Sequence, residues 1–202
     1  MKLYYFPGAC SLASHIALRE AGLRFELVGV DKHTKIGSDG RDLNQINPKS
    51  CVPALVLDSG EVLTENAVVL QYIADRNPAA NLAPLTGTME RYRLMEWLNF
   101  LSSELHKPFN PLFRPEVSDG AKEYARANLT ARLDYLQRAL PATAFVMGEL
   151  FTVADAYLFT VLKWGNYVNI DIGHWPQLEA YVARIGARQH VREALRVEGL
   201  VQ

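Results

Sequence analysis

The rhythm of apolar and polar positions changes partway along this chain of 202 residues. Near the start, Lys2 to Phe6 is a short aromatic run closed by Pro7-Gly8, which predicts a strand. Leu12, Ile16 and Ala17 then recur at helical spacing from Ser11 to Ala21, until Gly22 stops the pattern. Arg24 to Val30 reads as a second strand. The stretch from Asp31 to Pro48 is polar and has no clear period, so it allows at most a short helix. Val52 to Leu57 and Glu61 to Leu63 flank Asp58-Ser59-Gly60, which predicts a hairpin. Thr64 is expected to cap a helix carrying Val68, Val69, Tyr72 and Ile73 on its apolar face and ending at Asn77-Pro78. The predicted order is βαβαββα.

Beyond Asn77 the strand patterns stop. Pro78, Pro84 and Gly87 mark a loop, and a domain boundary is expected there, with one domain over 1–80 and a second over 88–202. Leu94, Leu98, Leu101 and Leu105 repeat along one helix face, and Pro108, Pro111 and Pro115 are expected to end that helix. A long helix is predicted from Asp119 to Leu140. Thr152-Val153-Ala154-Asp155 fits a capping box before the apolar run Ala156 to Trp164, and two further helices, Pro176 to Gln189 and His190 to Val197, complete the pattern. The fold class is therefore α/β followed by all-α.

Composition adds exclusions. Apolar residues make up 49% and charged residues 21%, as in ordinary globular domains. With 21 Lys+Arg against 22 Asp+Glu the net charge is -1, too little positive potential to hold nucleic acid or an anionic membrane, so a small-molecule ligand is expected. The apolar runs fall short of a membrane span, and Met1 to Phe6 is too short for a secretory h-region. Cys10 and Cys51 are then expected to stay reduced, in the cytosol. No His, Cys or carboxylate spacing suggests a metal, and neither a Gly-rich phosphate loop nor a G-x-S-x-G element occurs.

A few positions have the makings of a site. Cys10 stands at a strand-to-helix junction, where free N–H groups and the helix dipole favour a thiolate, so a thiol more acidic than a free one is expected; a buried structural cysteine is the competing reading. Cys10-Ser11-Leu12-Ala13 lacks the second thiol of C-x-x-C, so any redox role would need an external resolving thiol. Val52-Pro53 opens a strand, and sequence alone favours a trans bond there. Glu65-Asn66 at a helix start offers a carboxylate for an ammonium and N–H groups for a carboxylate, the two ends of an amino acid, although a solvated helix start would look the same. Lys35 alone reads as a surface charge. Asn99, Ser103 and His106 are spaced to share one helix face, lining either a cleft or solvent.

Taken in order, these residues resemble a family, the β-class bacterial glutathione transferases. The resemblance runs end to end through Lys2-Leu3-Tyr4-Tyr5 and Pro7-Gly8-Ala9-Cys10-Ser11-Leu12, Asn47-Pro48 with Val52-Pro53, Leu63-Thr64-Glu65, Glu96-Trp97-Leu98-Asn99 to Glu104-Leu105-His106-Lys107, and Phe151 to Phe159. It implies a thioredoxin-like first domain that binds glutathione, a helical second domain that supplies the pocket for a small hydrophobic electrophile, and a homodimer. It makes the bond before Pro53 cis. It also implies catalytic roles for Cys10 and His106 and glutathione contacts at Lys35, Val52, Pro53, Glu65, Asn66, Asn99, Ser103, Glu104 and Lys107. In this scheme Lys35 holds the glycine carboxylate and Val52 pairs with the cysteinyl backbone, while Glu65 and the residue 66 N–H grip the γ-glutamyl ammonium and carboxylate. Asn66 departs from the Gly or Ser usual at its position, and Cys51 lies outside the pattern. A glutathione-dependent thiol-disulfide oxidoreductase or peroxidase is the alternative activity, and a non-enzymatic binding module the second.

Overall fold

In a computed structural model, residues 1–140 and 144–200 are described. The chain forms two compact units, one of Met1–Ala83 with the chain from Ala187 onward, the other of Pro84–Gly186. The final helix, assigned from sequence to the helical domain, thus packs in the first unit.

The first unit follows β1 (Lys2–Tyr5), α1 (Ser11–Glu20), β2 (Glu26–Gly29), α2 (Leu43–Ile46), β3 (Ala54–Val56), β4 (Val62–Thr64) and α3 (Asn66–Arg76), the predicted order. Its four-stranded sheet is ordered β2-β1-β3-β4. β1 and β2 are parallel, as a crossover through α1 requires, and the remaining pairs are antiparallel. Tyr4 stands beside Val28 on one side and Ala54 on the other, and Ala54 beside Thr64. This row lies at one end of the sheet. The loops after β1 and β2, the approach to β3 and the start of α3 all meet that end.

Two local expectations fail in this unit. Thr64 belongs to β4 and does not cap α3; Glu65 holds the N-cap position, at φ 68 and ψ 110, with no side-chain cap bond. Val68 is exposed, while the expected Val69 and Ile73 are buried together with Leu70 and Ala74. The helix thus begins one residue later than a Thr64 cap implied. α9 (Gln189–Val197) packs beside α1, and Arg188 binds Glu20 through paired contacts of 2.7 and 2.8 Å.

The second unit is helical. α4 (Met89–Phe100) starts at Thr88, whose side chain accepts from Arg91 N. It runs on through a π-helical stretch, Leu101–His106, into α5 (Lys107–Phe109) and a 3₁₀ turn, Asn110–Phe113. Pro108 therefore does not end the helix. Proline lacks an N–H and its ring excludes the carbonyl four residues back, and the widened turn immediately before it accommodates both. Leu94, Leu98, Leu101 and Leu105 are all buried, as their spacing predicts. α6 (Asp119–Ala139) buries Leu129, Leu133 and Leu136, and α8 (Pro176–Gly186) buries Leu178, Tyr181 and Ile185.

α7 (Val153–Lys163) is buried from Val153 to Leu162, and the capping box is present. Asp155 accepts from Thr152 N and from Val146 N, each at 2.8 Å, and from Tyr181 Oη at 2.9 Å. Burial raises the Asp155 carboxyl pKa, while these donors oppose the rise. No helix among the described residues is long and apolar enough to cross a membrane.

Candidate functional site

At the end of the sheet marked by Tyr4, Ala54 and Thr64, the loop after β1 carries Cys10 at the N-cap position of α1. Its thiol donates to the carbonyl of Val52, 3.1 Å away. Val52 precedes Pro53, and their peptide bond is cis, the form the resemblance implied against the sequence prior. Cys10 and the entry to β3, 42 residues apart in the chain, are thus brought together.

The expected acidity of this thiol is not what the surroundings produce. The Cys10 and Ser11 backbone N–H groups do pull its pKa down, as a helix start should. Burial outweighs them, and the neighbouring Cys51 thiol and Glu65 carboxylate add to the rise, so the Cys10 thiol is pushed up to about 12. Cys51 itself is exposed, its thiol donating to Lys49 O at 3.1 Å.

Glu65 sits where β4 turns into α3. A non-glycine residue at φ 68 occupies a sparsely populated region costing on the order of 1–3 kcal/mol, a kind of strain that clusters at functional sites. Its carboxylate is held by the Lys49 ammonium, which also donates to Thr64 Oγ1 at 2.8 Å. Sequence reasoning missed Lys49, which lies between the polar stretch ending at Pro48 and the strand opened by Val52, where no period located it. The first backbone bonds of α3 run from Val68 N and Val69 N to Glu65 O, both 2.9 Å, so the N–H groups of Asn66 and Ala67 precede the helical ladder. The Asn66 side chain is buried against α1, its Oδ1 accepting from Ser14 Oγ at 2.8 Å.

Lys35, half-buried on the segment after β2, has φ 64 and holds its ammonium 5.0 Å from the centre of the Phe6 ring. Phe6 ends the run that leads into the Cys10 loop, and its carbonyl accepts from Ala9 N at 3.1 Å. The loop is tied from the other side as well. Gly8 N donates to Glu198 Oε2 at 2.9 Å, and Glu198 Oε1 lies 2.9 Å from His15 Nδ1, both side chains being fully buried. Arg19 Nε donates to His15 Nε2 at 2.8 Å, so Nδ1 is the nitrogen that donates to Glu198. The His15–Arg19 spacing was visible in sequence, but nothing local pointed to a partner 183 residues away.

The helical unit separates the polar stripe expected on α4. Asn99 and Ser103 are exposed, Ser103 Oγ donating to Asn99 O at 3.0 Å, while His106 turns inward to Tyr157 Oη at 2.8 Å. A π turn takes more residues than an α turn, so positions four and seven apart no longer stack. The His106 ring also meets Trp164 edge-on at 4.7 Å, and burial lowers its pKa to about 4. A neutral imidazole carries one N–H donor and one acceptor nitrogen, and Tyr157 takes up the Nδ1 side. Glu104 pairs with Arg132 at 2.7 Å, and Lys107 is exposed. Among the described residues no group of three or more His, Cys, Asp or Glu side chains stands close enough to hold a metal ion.

The fold and these residues define a two-part architecture, and comparison with known proteins identifies it. The family model of the glutathione S-transferase N-terminal domain matches residues 8–76, and that of the C-terminal domain matches residues 100–189. The glutathione S-transferase GstA of Escherichia coli O157:H7 is 46% identical over 200 residues, covering 99% of this chain and 100% of the relative. A sphingomonad glutathione S-transferase solved in complex with glutathione superposes with a TM-score of 0.96 at 50% identity, covering 100% of both chains. The bacterial beta class glutathione S-transferase of Sphingomonas chungbukensis gives 0.96 at 51%, again over 100% of both. The chain belongs to the glutathione S-transferase family, and its fold is the glutathione S-transferase fold.

Proposed function

We propose that the protein conjugates glutathione to small hydrophobic electrophiles. Cys10 Sγ lies 3.1 Å from Val52 O, at the sheet end from which Lys35, Glu65 and Asn66 also emerge, and this observation carries the reading. A γ-Glu-Cys-Gly tripeptide laid along that end would offer a carboxylate to Lys35, its cysteinyl backbone to Val52, and its ammonium to Glu65. The glutathione thiol loses its proton, and its sulfur forms a bond to an electrophilic carbon as the leaving group departs with the bonding pair. Solvent or a neighbouring base takes the proton. Selection of the electrophile falls to the helical unit, which carries His106.

The high pKa of Cys10 favours this reading over disulfide exchange as the main activity. Burial pushes the Cys10 thiol up to about 12 and keeps it protonated at neutral pH, whereas conjugation uses the thiol of glutathione itself. Mixed-disulfide formation at Cys10 is a slower second reaction, in which Cys10 Sγ bonds to one sulfur of oxidised glutathione and releases reduced glutathione. The protein also works as a homodimer on this reading, supported by Met89, Tyr92 and Met95, exposed at three-residue spacing along α4.

The test is binding and turnover together: calorimetry with glutathione, then conjugation of an activated aryl chloride against reduction of a mixed disulfide. Conjugation exceeding disulfide reduction is expected. Absence of glutathione binding would leave a transferase-like binding module as the reading. Lys35→Ala should raise the KM for glutathione more than that for the electrophile, and an unchanged KM would remove Lys35 from the scheme.

A further inference from the structure

Cys10 and Cys51 come from separate segments of the chain, yet they meet around one peptide unit. Cys10 Sγ donates to Val52 O at 3.1 Å, and Cys51 is the residue immediately before Val52. Consecutive Cα atoms are about 3.8 Å apart, so the Cys10 sulfur stands no more than about 9 Å from the Cys51 Cα. Both thiols are free. Their electrostatics show the same closeness, since Cys51 raises the Cys10 pKa by more than either backbone N–H at the helix start lowers it.

The two cysteines differ in what holds them. Cys10 is half-buried at the start of α1. The Cys51 backbone is clamped by Asn47, itself 2% exposed, whose Nδ2 donates to Cys51 O at 2.7 Å. The Cys51 side chain is exposed, and its thiol makes a bond of 3.1 Å to Lys49 O, weak because a thiol is a poor donor. Rotation about its side-chain torsion releases that bond and moves the sulfur while the backbone stays in place. The C-x-x-C spacing absent from the Cys10 loop is thus replaced by a second thiol from the approach to β3.

We infer that Cys51 is the resolving thiol of Cys10, the two forming a dithiol–disulfide couple that is oxidised by the disulfide of glutathione. The inference rests on the mixed-disulfide reaction proposed above and adds its second step. Once Cys10 carries one glutathione, Cys51 gives its proton to solvent and attacks Cys10 Sγ. The Cys10–glutathione bond breaks, the Cys10–Cys51 bond forms, and the glutathione sulfur leaves with the bonding pair and takes up a proton. In sum, one oxidised glutathione becomes two reduced ones while two protein thiols become one disulfide, and two reduced glutathiones reverse the exchange. Attack at Cys10 Sγ is the favoured direction, because Cys10, pushed up to about 12, is a poorer leaving group than glutathione. A thiol tethered this close also acts at high effective concentration.

Intact mass and peptide mapping of the full chain, treated with oxidised glutathione without reductant, test this. The unsubstituted protein should lose both thiols and retain no glutathione on Cys10, with the Cys10 and Cys51 peptides joined within one chain. Cys51→Ser removes the resolving thiol and should hold at least about tenfold more glutathione on Cys10, and Cys51→Ala should behave alike. If neither variant takes up glutathione at Cys10, the mixed-disulfide reading falls and the resolving role with it. If the variants hold glutathione there but the unsubstituted protein holds as much, or joins Cys51 to a second chain, only the resolving role is overturned.

Discussion

Glu198 accepts the backbone N–H of Gly8 at 2.9 Å, so a carboxylate near the end of the chain holds the loop two residues before Cys10. Its second oxygen is taken by His15 on α1, and neither side chain is exposed to solvent. Removing the carboxylate strands the fully buried His15 donor and takes an acceptor from the part-buried Gly8 N–H. Glu198→Ala should destabilise the protein by about 3 kcal/mol or more, read as a lower denaturation midpoint in urea. A loss under about 1 kcal/mol would mean that the tail does not brace the loop.

Cys10 and Cys51 should separate sharply in alkylation of the glutathione-free protein. Cys51 is exposed, whereas the Cys10 thiol is pushed up to about 12 by burial and gives its hydrogen to Val52 O. With iodoacetamide at neutral pH, peptide mass spectrometry should find Cys51 modified first, and the Cys10 rate should still be climbing tenfold per pH unit at pH 9. A Cys10 rate that levels off below pH 8 would contradict the burial argument.

Lys49 occupies the Glu65 carboxylate that the proposed glutathione scheme assigns to the ligand's ammonium, so on that scheme the two cations compete. The Lys49 and Glu65 side chains are 52% and 67% exposed, which makes the pair weak and easily displaced. Lys49→Met should therefore lower the glutathione KM modestly, by about two- to fivefold, in steady-state assays. A raised KM would show instead that Lys49 orients Glu65 for the ligand.

His106 sets an acid limit. Its pKa falls from 6.5 to about 4 on folding, so the unfolded chain binds the proton more readily than the folded one. The His106 contribution is then constant above about pH 6.5 and is lost as pH drops towards 4, with an upper bound of about 3 kcal/mol. In His106→Gln, which retains a polar partner for Tyr157, urea midpoints measured between pH 4 and 6.5 should depend less steeply on pH. An unchanged slope would assign the acid sensitivity to other groups.

Much of the scaffold was written in local patterns. Alternation and turn residues located all four strands, leucines at helical spacing marked the buried face of α4, and Thr152 with Asp155 announced the start of α7. These are interactions between near neighbours in the chain, which residue type and period encode directly. The candidate site was proposed from residue types, Cys10, Val52-Pro53, Glu65 and Asn66, because strand ends and helix starts carry predictable free groups, and the fold brings these positions to one end of the sheet.

What those groups do was decided by contacts between distant residues. A helix start alone makes Cys10 acidic; packing against Val52 reverses the sign, because loss of solvent outweighs two backbone N–H groups. Thr64 had the chemistry of a cap, yet the hairpin drew it into β4 and left Glu65 to turn the chain at positive φ. Pro108 had every mark of a helix end, yet a widened turn absorbed it and swung His106 inward, away from Ser103. The pairing of Gly8 and His15 with Glu198, of Lys49 with Glu65, and of Ser14 with Asn66 leaves no trace in any local window. Burial and charge partnership are properties of the folded chain, so only the tertiary structure could assign them.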